Sequence, residues 1–140
     1  MSTTVLVAEV YTLVRQVLVA ALETIPNIRI ICEVADGSHA VEKANALQPD
    51  LILLDIGLPN LNGIEAARQI RNLSPKSKII FVTQEISPEV VRAAFEAGAS
   101  GYVVKTDAGR DLRAAVEAVL RGEQFLSSTA PSCNCESANS

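Results

Sequence analysis

The 140-residue chain has no tryptophan, one histidine, one methionine and an aromatic content of only 4 %. Each scarcity narrows the field. The three cysteines, Cys32, Cys133 and Cys135, are an odd and sparse set, which argues against a disulfide framework. Cys133-Asn134-Cys135 has no further soft ligands in sequence with it, so it does not read as a metal site. The lone His39, in Asp36-Gly37-Ser38-His39-Ala40, reads as a solvated helix residue rather than a relay. No apolar run approaches the roughly 18 residues of a membrane-spanning helix, and Met1-Ser2-Thr3-Thr4 lacks the basic start of a secretory signal. The expectation is a soluble cytoplasmic protein with no membrane partner. With 12 basic and 16 acidic residues the formal charge is −4, a poor balance for holding nucleic-acid phosphates directly.

What the chain does have is aliphatic residues in a regular order. Apolar residues make up 49 % of it, mostly Ala, Val, Leu and Ile, enough for one core and one domain. Val5-Leu6-Val7-Ala8 reads as a buried strand, followed by Leu13, Val14, Val17, Leu18, Ala21 and Leu22 at helical spacing. Ile28 to Val34 is a second strand, and Ala40, Val41, Ala44 and Leu47 mark a helix that stops before Pro49. The solidly apolar Leu51-Ile52-Leu53-Leu54 suits a central strand covered on both faces. A helix through Ile64, Ala67 and Ile70 leads to the strand Ile79 to Val82. Ser87-Pro88 is an N-cap with proline in the first turn, opening a helix that runs to Gly98. Gly101 to Val104 is a fifth strand, and Leu112, Ala115, Val116, Val119 and Leu120 form the inner face of a last helix ended near Gly122. Five strand–helix units in strict alternation predict a parallel sheet with helices on both faces. From Ser127 onward the composition turns polar and aperiodic, which reads as a flexible tail or linker.

In a parallel sheet, sites form beyond the carboxyl ends of the strands. The polar residues that directly follow or close the apolar runs are Glu9, Asp55, Thr83 and Lys105. Gathered at one rim they would put two carboxylates, a hydroxyl and an ammonium in one pocket. A carboxylate can attack phosphorus and form an acyl phosphate. The transferred group then needs fixed cations and donors around it, which Lys105 and Thr83 supply. Glu9 offers a hard oxygen ligand for a divalent cation. Singly, each residue reads as a helix cap, a strand-end hydrogen bonder or a surface charge; the joint placement at four strand ends singles out the set.

These residues resemble the receiver domains of bacterial two-component response regulators. Leu54 through Gly63 is similar to their phosphoacceptor loop, Val82-Thr83 to their switch threonine, and Gly101 to Lys105 to their aromatic-x-x-lysine segment; Val5 to Arg15 resembles the first strand and its acidic pair. The resemblance covers about residues 4 to 126, so the receiver is placed at 1–126 and the tail at 127–140. It implies a flavodoxin-like (βα)5 three-layer α/β sandwich with strand order 2-1-3-4-5. It also implies that Asp55 accepts a phosphoryl group from a sensor histidine kinase, that Lys105 pairs with it, and that Thr83 and Tyr102 are the switch pair. The Mg2+ ligands would be Asp55, Glu9 and the Gly57 backbone carbonyl. The output surface would lie on the fourth and last helices and the fifth strand. The stretch from Lys105 to Ser127 is most similar to the LuxR/NarL subfamily, which implies a possible homodimer and DNA contact only through a helix-turn-helix domain that this chain does not contain.

The match fails at one site position. The family's acidic pair reads Glu9-Val10 here, so a valine stands where a direct magnesium-binding aspartate belongs. That weakens the Mg2+ site while relieving repulsion around Asp55. Two readings follow: a receiver phosphorylated on Asp55 with an altered metal site, or a degenerate receiver that binds partners without efficient phosphorylation. The retention of Asp55, Thr83, Tyr102 and Lys105 favours the first. No enzyme function is expected beyond self-catalysed phosphoryl transfer and autodephosphorylation. A cofactor enzyme on the same fold is disfavoured, because the first strand–helix turn lacks a phosphate-binding loop rich in Gly, Ser or Thr.

Overall fold

The structure is a computed structural model and describes residues 2–127. Its elements run in the order β1 (Thr3–Ala8), α1 (Thr12–Glu23), β2 (Ile28–Val34), α2 (Gly37–Leu47), β3 (Leu51–Leu54), α3 (Gly63–Leu73), β4 (Lys78–Thr83), α4 (Pro88–Glu96), β5 (Gly101–Val104), α5 (Ala108–Leu120) and β6 (Phe125–Leu126). A single 3-10 turn, Lys105–Asp107, joins β5 to α5. The readings of residues 128–140, including Cys133 and Cys135, lie outside the described residues.

Strand alternation sorts the core into two halves. Leu6, Ala8, Ile52, Leu54, Ile79, Phe81, Tyr102 and Val104 face one way and pack against Ala40 and Ala44 of α2, Ala67 and Ile70 of α3, and Val91 and Ala94 of α4. Val5, Val7, Leu51, Leu53, Ile80, Val82 and Val103 face the other way, onto Leu18 and Leu22 of α1 and Leu112, Val116 and Val119 of α5. Because successive side chains alternate across a strand, the unbroken Leu51–Leu54 run feeds both halves and is wholly buried. Helix starts follow their caps: the Asp36, Asn62 and Ser87 side chains each accept a hydrogen bond from the backbone N–H three residues on.

The sheet is parallel throughout, in the order β2-β1-β3-β4-β5-β6. The expected 2-1-3-4-5 core is present, but the expectation of five strands is corrected to six. Phe125 and Leu126 add to the edge of β5, with Phe125 N–H donating to the Ser100 carbonyl at 3.1 Å and Ser127 N–H to the Tyr102 carbonyl at 2.9 Å. Ser127, read above as the start of the tail, is buried, and its hydroxyl accepts from Val104 N–H at 3.0 Å. A two-residue strand has no periodicity to detect, which is why it escaped notice.

Two helix faces also differ from expectation. Leu13 and Val17 of α1 are 77 % and 61 % exposed, because the inward row is Val14, Leu18 and Leu22. Apolar residues at eight of the ten positions 13–22 wrap most of the helix, so spacing alone does not say which row turns inward. Leu120 is likewise exposed, at the end of α5. Cys32 of β2 is half-buried against the core.

Candidate functional site

β1 and β3 are neighbours, with Ala8 opposite Leu54, so the residues that follow each strand emerge side by side. Glu9 N–H donates to the Val34 carbonyl at 3.0 Å, and Asp55 N–H to the Ala8 carbonyl at 3.1 Å. These bonds extend the ladder one step past the strands and fix the two carboxylates at the rim. Both residues are buried. Lys105 opens the 3-10 turn after β5 and reaches back across the rim, two strands from β3.

The three charges meet. Lys105 Nζ lies 2.9 Å from Glu9 Oε1 and 3.1 Å from Asp55 Oδ2. Glu9 Oε2 accepts from Tyr11 N–H at 3.0 Å, and Glu9 Oε1 faces the Lys105 ammonium. Asp55 Oδ1 accepts from Gly57 N–H at 3.3 Å. Burial works to lower the Lys105 pKa, but the Glu9 and Asp55 carboxylates together outweigh it and hold the ammonium above its ordinary value. Lys105 is thus a fixed cation between two anions, and the trio carries one net negative charge.

Glu9 and Asp55 are brought together with Lys105, as expected; Thr83 stands apart. It is buried at the end of β4, and its hydroxyl accepts from Glu85 N–H at 3.4 Å, with no hydrogen bond to Asp55 among the described residues. Tyr102 is fully buried. Its ring tilts against Phe81, and its hydroxyl donates to the Glu85 carbonyl at 2.8 Å. Burial and the nearby Glu85 charge push the phenol well above its ordinary pKa, so it remains a donor. Thr83 and Tyr102 therefore both bond to the backbone of Glu85.

Sequence reasoning assigned no role to three participants. The Tyr11 ring lies beneath Lys105, with Nζ 5.6 Å from its centroid, a cation–π contact. Arg15 donates to the Glu9 carbonyl at 2.5 Å and pairs with Glu33 at 3.3 Å, clamping the end of β1. Glu85 acts through its backbone, which no residue-type signal reveals.

Two carboxylates and the exposed Gly57 carry the oxygen atoms available to a hard cation. Among the described residues, no three of His, Cys, Asp or Glu gather closely enough to hold a metal by themselves. That set still fits Mg2+, which is commonly held by one or two carboxylates and completed by water and phosphate oxygens. The half-buried Val10 contributes no ligand atom.

Residues 5–117 match the family model described as the response regulator receiver domain. The transcriptional regulatory protein LiaR of Bacillus subtilis is 39 % identical over 124 residues, covering 89 % of this chain and 59 % of LiaR. The response regulator protein VraR of Staphylococcus aureus is 35 % identical over 126 residues, covering 90 % and 60 %. The chain thus spans about three fifths of the length of these relatives. The crystal structure of a LuxR-family two-component response regulator from Aurantimonas sp. superposes with a TM-score of 0.88 at 30 % identity, covering 99 % of this chain and 97 % of that one. Family model, relatives and fold agree: the chain belongs to the receiver domains of two-component response regulators, on the LuxR/NarL side of that family.

Proposed function

We propose that Asp55 is the phosphoacceptor of this receiver and that a sensor histidine kinase is the donor. The observation that carries the reading is the Lys105 ammonium held between the buried carboxylates of Asp55 and Glu9. In the transfer, an Asp55 carboxylate oxygen forms a bond to phosphorus as the phosphorus–nitrogen bond of the donor phosphohistidine breaks. The leaving imidazole takes up a proton, and the product is an acyl phosphate on Asp55. The carboxylate's single charge becomes a group carrying more negative charge, which Lys105 is placed to offset.

Mg2+ at Asp55, the Gly57 carbonyl and Glu9 would neutralise charge on the phosphoryl oxygens. Val10 makes that site weaker than a three-carboxylate one. Thr83 and Tyr102 form the switch through Glu85: a phosphoryl oxygen that draws the Thr83 hydroxyl competes with Glu85 N–H, and the Glu85 carbonyl is tied to Tyr102. The change is read on the surface of α4, β5 and α5. Residues up to about 126 make the receiver, acting in the cytoplasm; a homodimer, and DNA contact through a separate helix-turn-helix domain, belong to the whole regulator. No observation favours the phosphorylation-independent reading.

The test is direct. Acetyl phosphate with Mg2+ should raise the intact mass of the protein by one phosphoryl group, and Asp55→Asn should abolish the gain. An unchanged mass in the parent protein at saturating donor, or an undiminished gain in Asp55→Asn, overturns the assignment.

A further inference from the structure

The loop between β3 and α3 carries both Asp55 and the Gly57 carbonyl, and its ends are fixed by the neighbouring strand β1 and by closure onto the start of α3. Asp55 N–H bonds to Ala8, and Gly63 N–H donates to the Ile56 carbonyl at 2.8 Å. A Cβ on Gly63 would stand 2.1 Å from the Asp55 carbonyl oxygen, so only glycine permits that closure. The tip of the loop, residues 59–61, is held by a different element, the start of α2. Gly37 N–H donates to the Pro59 carbonyl at 3.1 Å. The Asn60 side-chain amide donates to Asp36 Oδ2 at 3.2 Å, and Asn60 itself is in the left-handed region at φ 69°. The Leu61 carbonyl oxygen would lie 1.7 Å from a Cβ on Gly37, with the Leu61 carbonyl carbon at 2.7 Å.

Two features separate this contact from ordinary packing. Gly37 is not among the residues of positive φ, so its backbone could accept any side chain. What demands glycine is the approach of another backbone. Asp36 divides its carboxylate between two jobs: Oδ1 caps α2 by accepting from His39 N–H at 2.7 Å, and Oδ2 accepts from the Asn60 amide while lying 3.0 Å from His39 Nδ1. The helix cap and the loop anchor are one side chain.

We infer that Asp36 and Gly37 are positioning residues for phosphoryl transfer, acting through Pro59, Asn60 and Leu61 to set where Asp55 and the Gly57 carbonyl stand. Neither touches the reacting atoms. This rests on the reading of Asp55 as phosphoacceptor. A Gly37→Ala side chain cannot be relieved by a rotamer, because its obstacle is backbone. The Leu61 carbonyl must retreat by roughly 1.3 Å or more to reach the 3.0 Å limit of real Cβ contacts, and the short loop carries that shift toward Gly57.

The experiment measures Asp55 phosphorylation by acetyl phosphate at varied Mg2+, together with amide NMR shifts. Gly37→Ala should lower the maximal rate at least tenfold and raise the Mg2+ concentration for half-maximal rate. The amides of Ile56 and Gly57 should move, while those of β2 and α5 stay in place. In case Gly37→Ala perturbs α2, a second pair of variants keeps the cap. Asn60→Asp leaves Asp36 free to cap His39 N–H but sets two carboxylates against each other, and should slow the reaction several-fold. Adding Asp36→Asn restores a donor between the two side chains and should recover at least half of that loss, which a merely structural role at the cap would not do. An undiminished rate in Gly37→Ala, or no rescue by the exchange, overturns the inference while leaving Asp55 as the acceptor. A parent protein that takes up no phosphoryl group overturns both.

Discussion

The two rims of the sheet use polar groups in opposite ways. At the amino ends of the strands the groups satisfy one another. Ser74 Oγ lies 2.6 Å from Ser77 Oγ and donates to the Gln48 side-chain oxygen at 3.3 Å, Ser77 Oγ donates to the Pro49 carbonyl at 2.5 Å, and the Gln48 amide bonds the Leu73 and Asn45 carbonyls. Thr4 and Asp50 exchange reciprocal bonds across β1 and β3: Thr4 N–H donates to Asp50 Oδ2 at 2.8 Å, and Asp50 N–H to Thr4 Oγ1 at 3.0 Å. At the carboxyl ends three formal charges share a pocket, two carboxylates against one ammonium. The first arrangement spends its polar groups on holding helix ends and strand starts. The second keeps desolvated charge together, which costs stability and provides a place for an incoming anion and its cation.

The largest test of that difference is Lys105→Met, close in volume but uncharged. Removing one partner of a buried ion pair ordinarily costs about 3–5 kcal/mol; partial access of water to Lys105 reduces the expectation to about 2–3 kcal/mol in urea unfolding. Phosphorylation should be lost with it. If stability is unchanged, the charged rim is not the strained one. Glu9→Gln should be within about 1 kcal/mol of the parent, since Lys105 keeps Asp55 and one repulsion is removed. Next in size is Val10→Asp. A unit charge pair about 4 Å apart is worth roughly 4 kcal/mol at an effective dielectric near 20, and a divalent cation about doubles that before desolvation. We expect at least about tenfold tighter Mg2+ by calorimetric titration, and lower stability than the parent when Mg2+ is withheld.

The charged rim was legible in the sequence because its residues sit where apolar runs stop. Glu9, Asp55 and Lys105 each mark the end of a buried strand, and parallel topology then forces them together. Thr83 was legible as a rim residue, but its bond to Glu85 N–H was not, since backbone partners carry no residue-type signal. The amino-end rim carries no such signal: Ser74, Ser77 and Gln48 look like any loop residues until α2 and α3 bring them within reach. The cation–π contact of Tyr11 needed the direction of the Lys105 side chain. β6 and the exposed row of α1 failed for opposite reasons, one too short to show a period and the other too apolar to show a single face.

At the amino-end rim, Ser74→Ala removes a donor that serves the Gln48 side chain and a partner of the Ser77 hydroxyl in a buried place. The expected cost is about 1–2 kcal/mol, read as a lower urea midpoint at unchanged slope. The rate of Asp55 phosphorylation should stay within about twofold, because no charge moves at the other rim. A large loss of rate would mean the two rims are coupled through β3 and would break the contrast drawn between them.

The smallest effect is expected at Asp36, at the margin of the charged rim. The His39 backbone N–H, then the Asn60 amide, hold its carboxyl below the usual aspartate value, against the opposing pull of burial. A carboxyl whose folded pKa lies below its unfolded value contributes stability above the unfolded value of about 3.9, and loses it as pH falls through the folded pKa. The parent protein should therefore lose a stabilising increment below about pH 4 that Asp36→Asn does not lose, so the two melting curves should converge in acid and separate toward neutrality. Curves that stay parallel from neutrality into acid would show that Asp36 gains nothing from its partners, and that the tie between α2 and the phosphoacceptor loop is steric, at Gly37, alone.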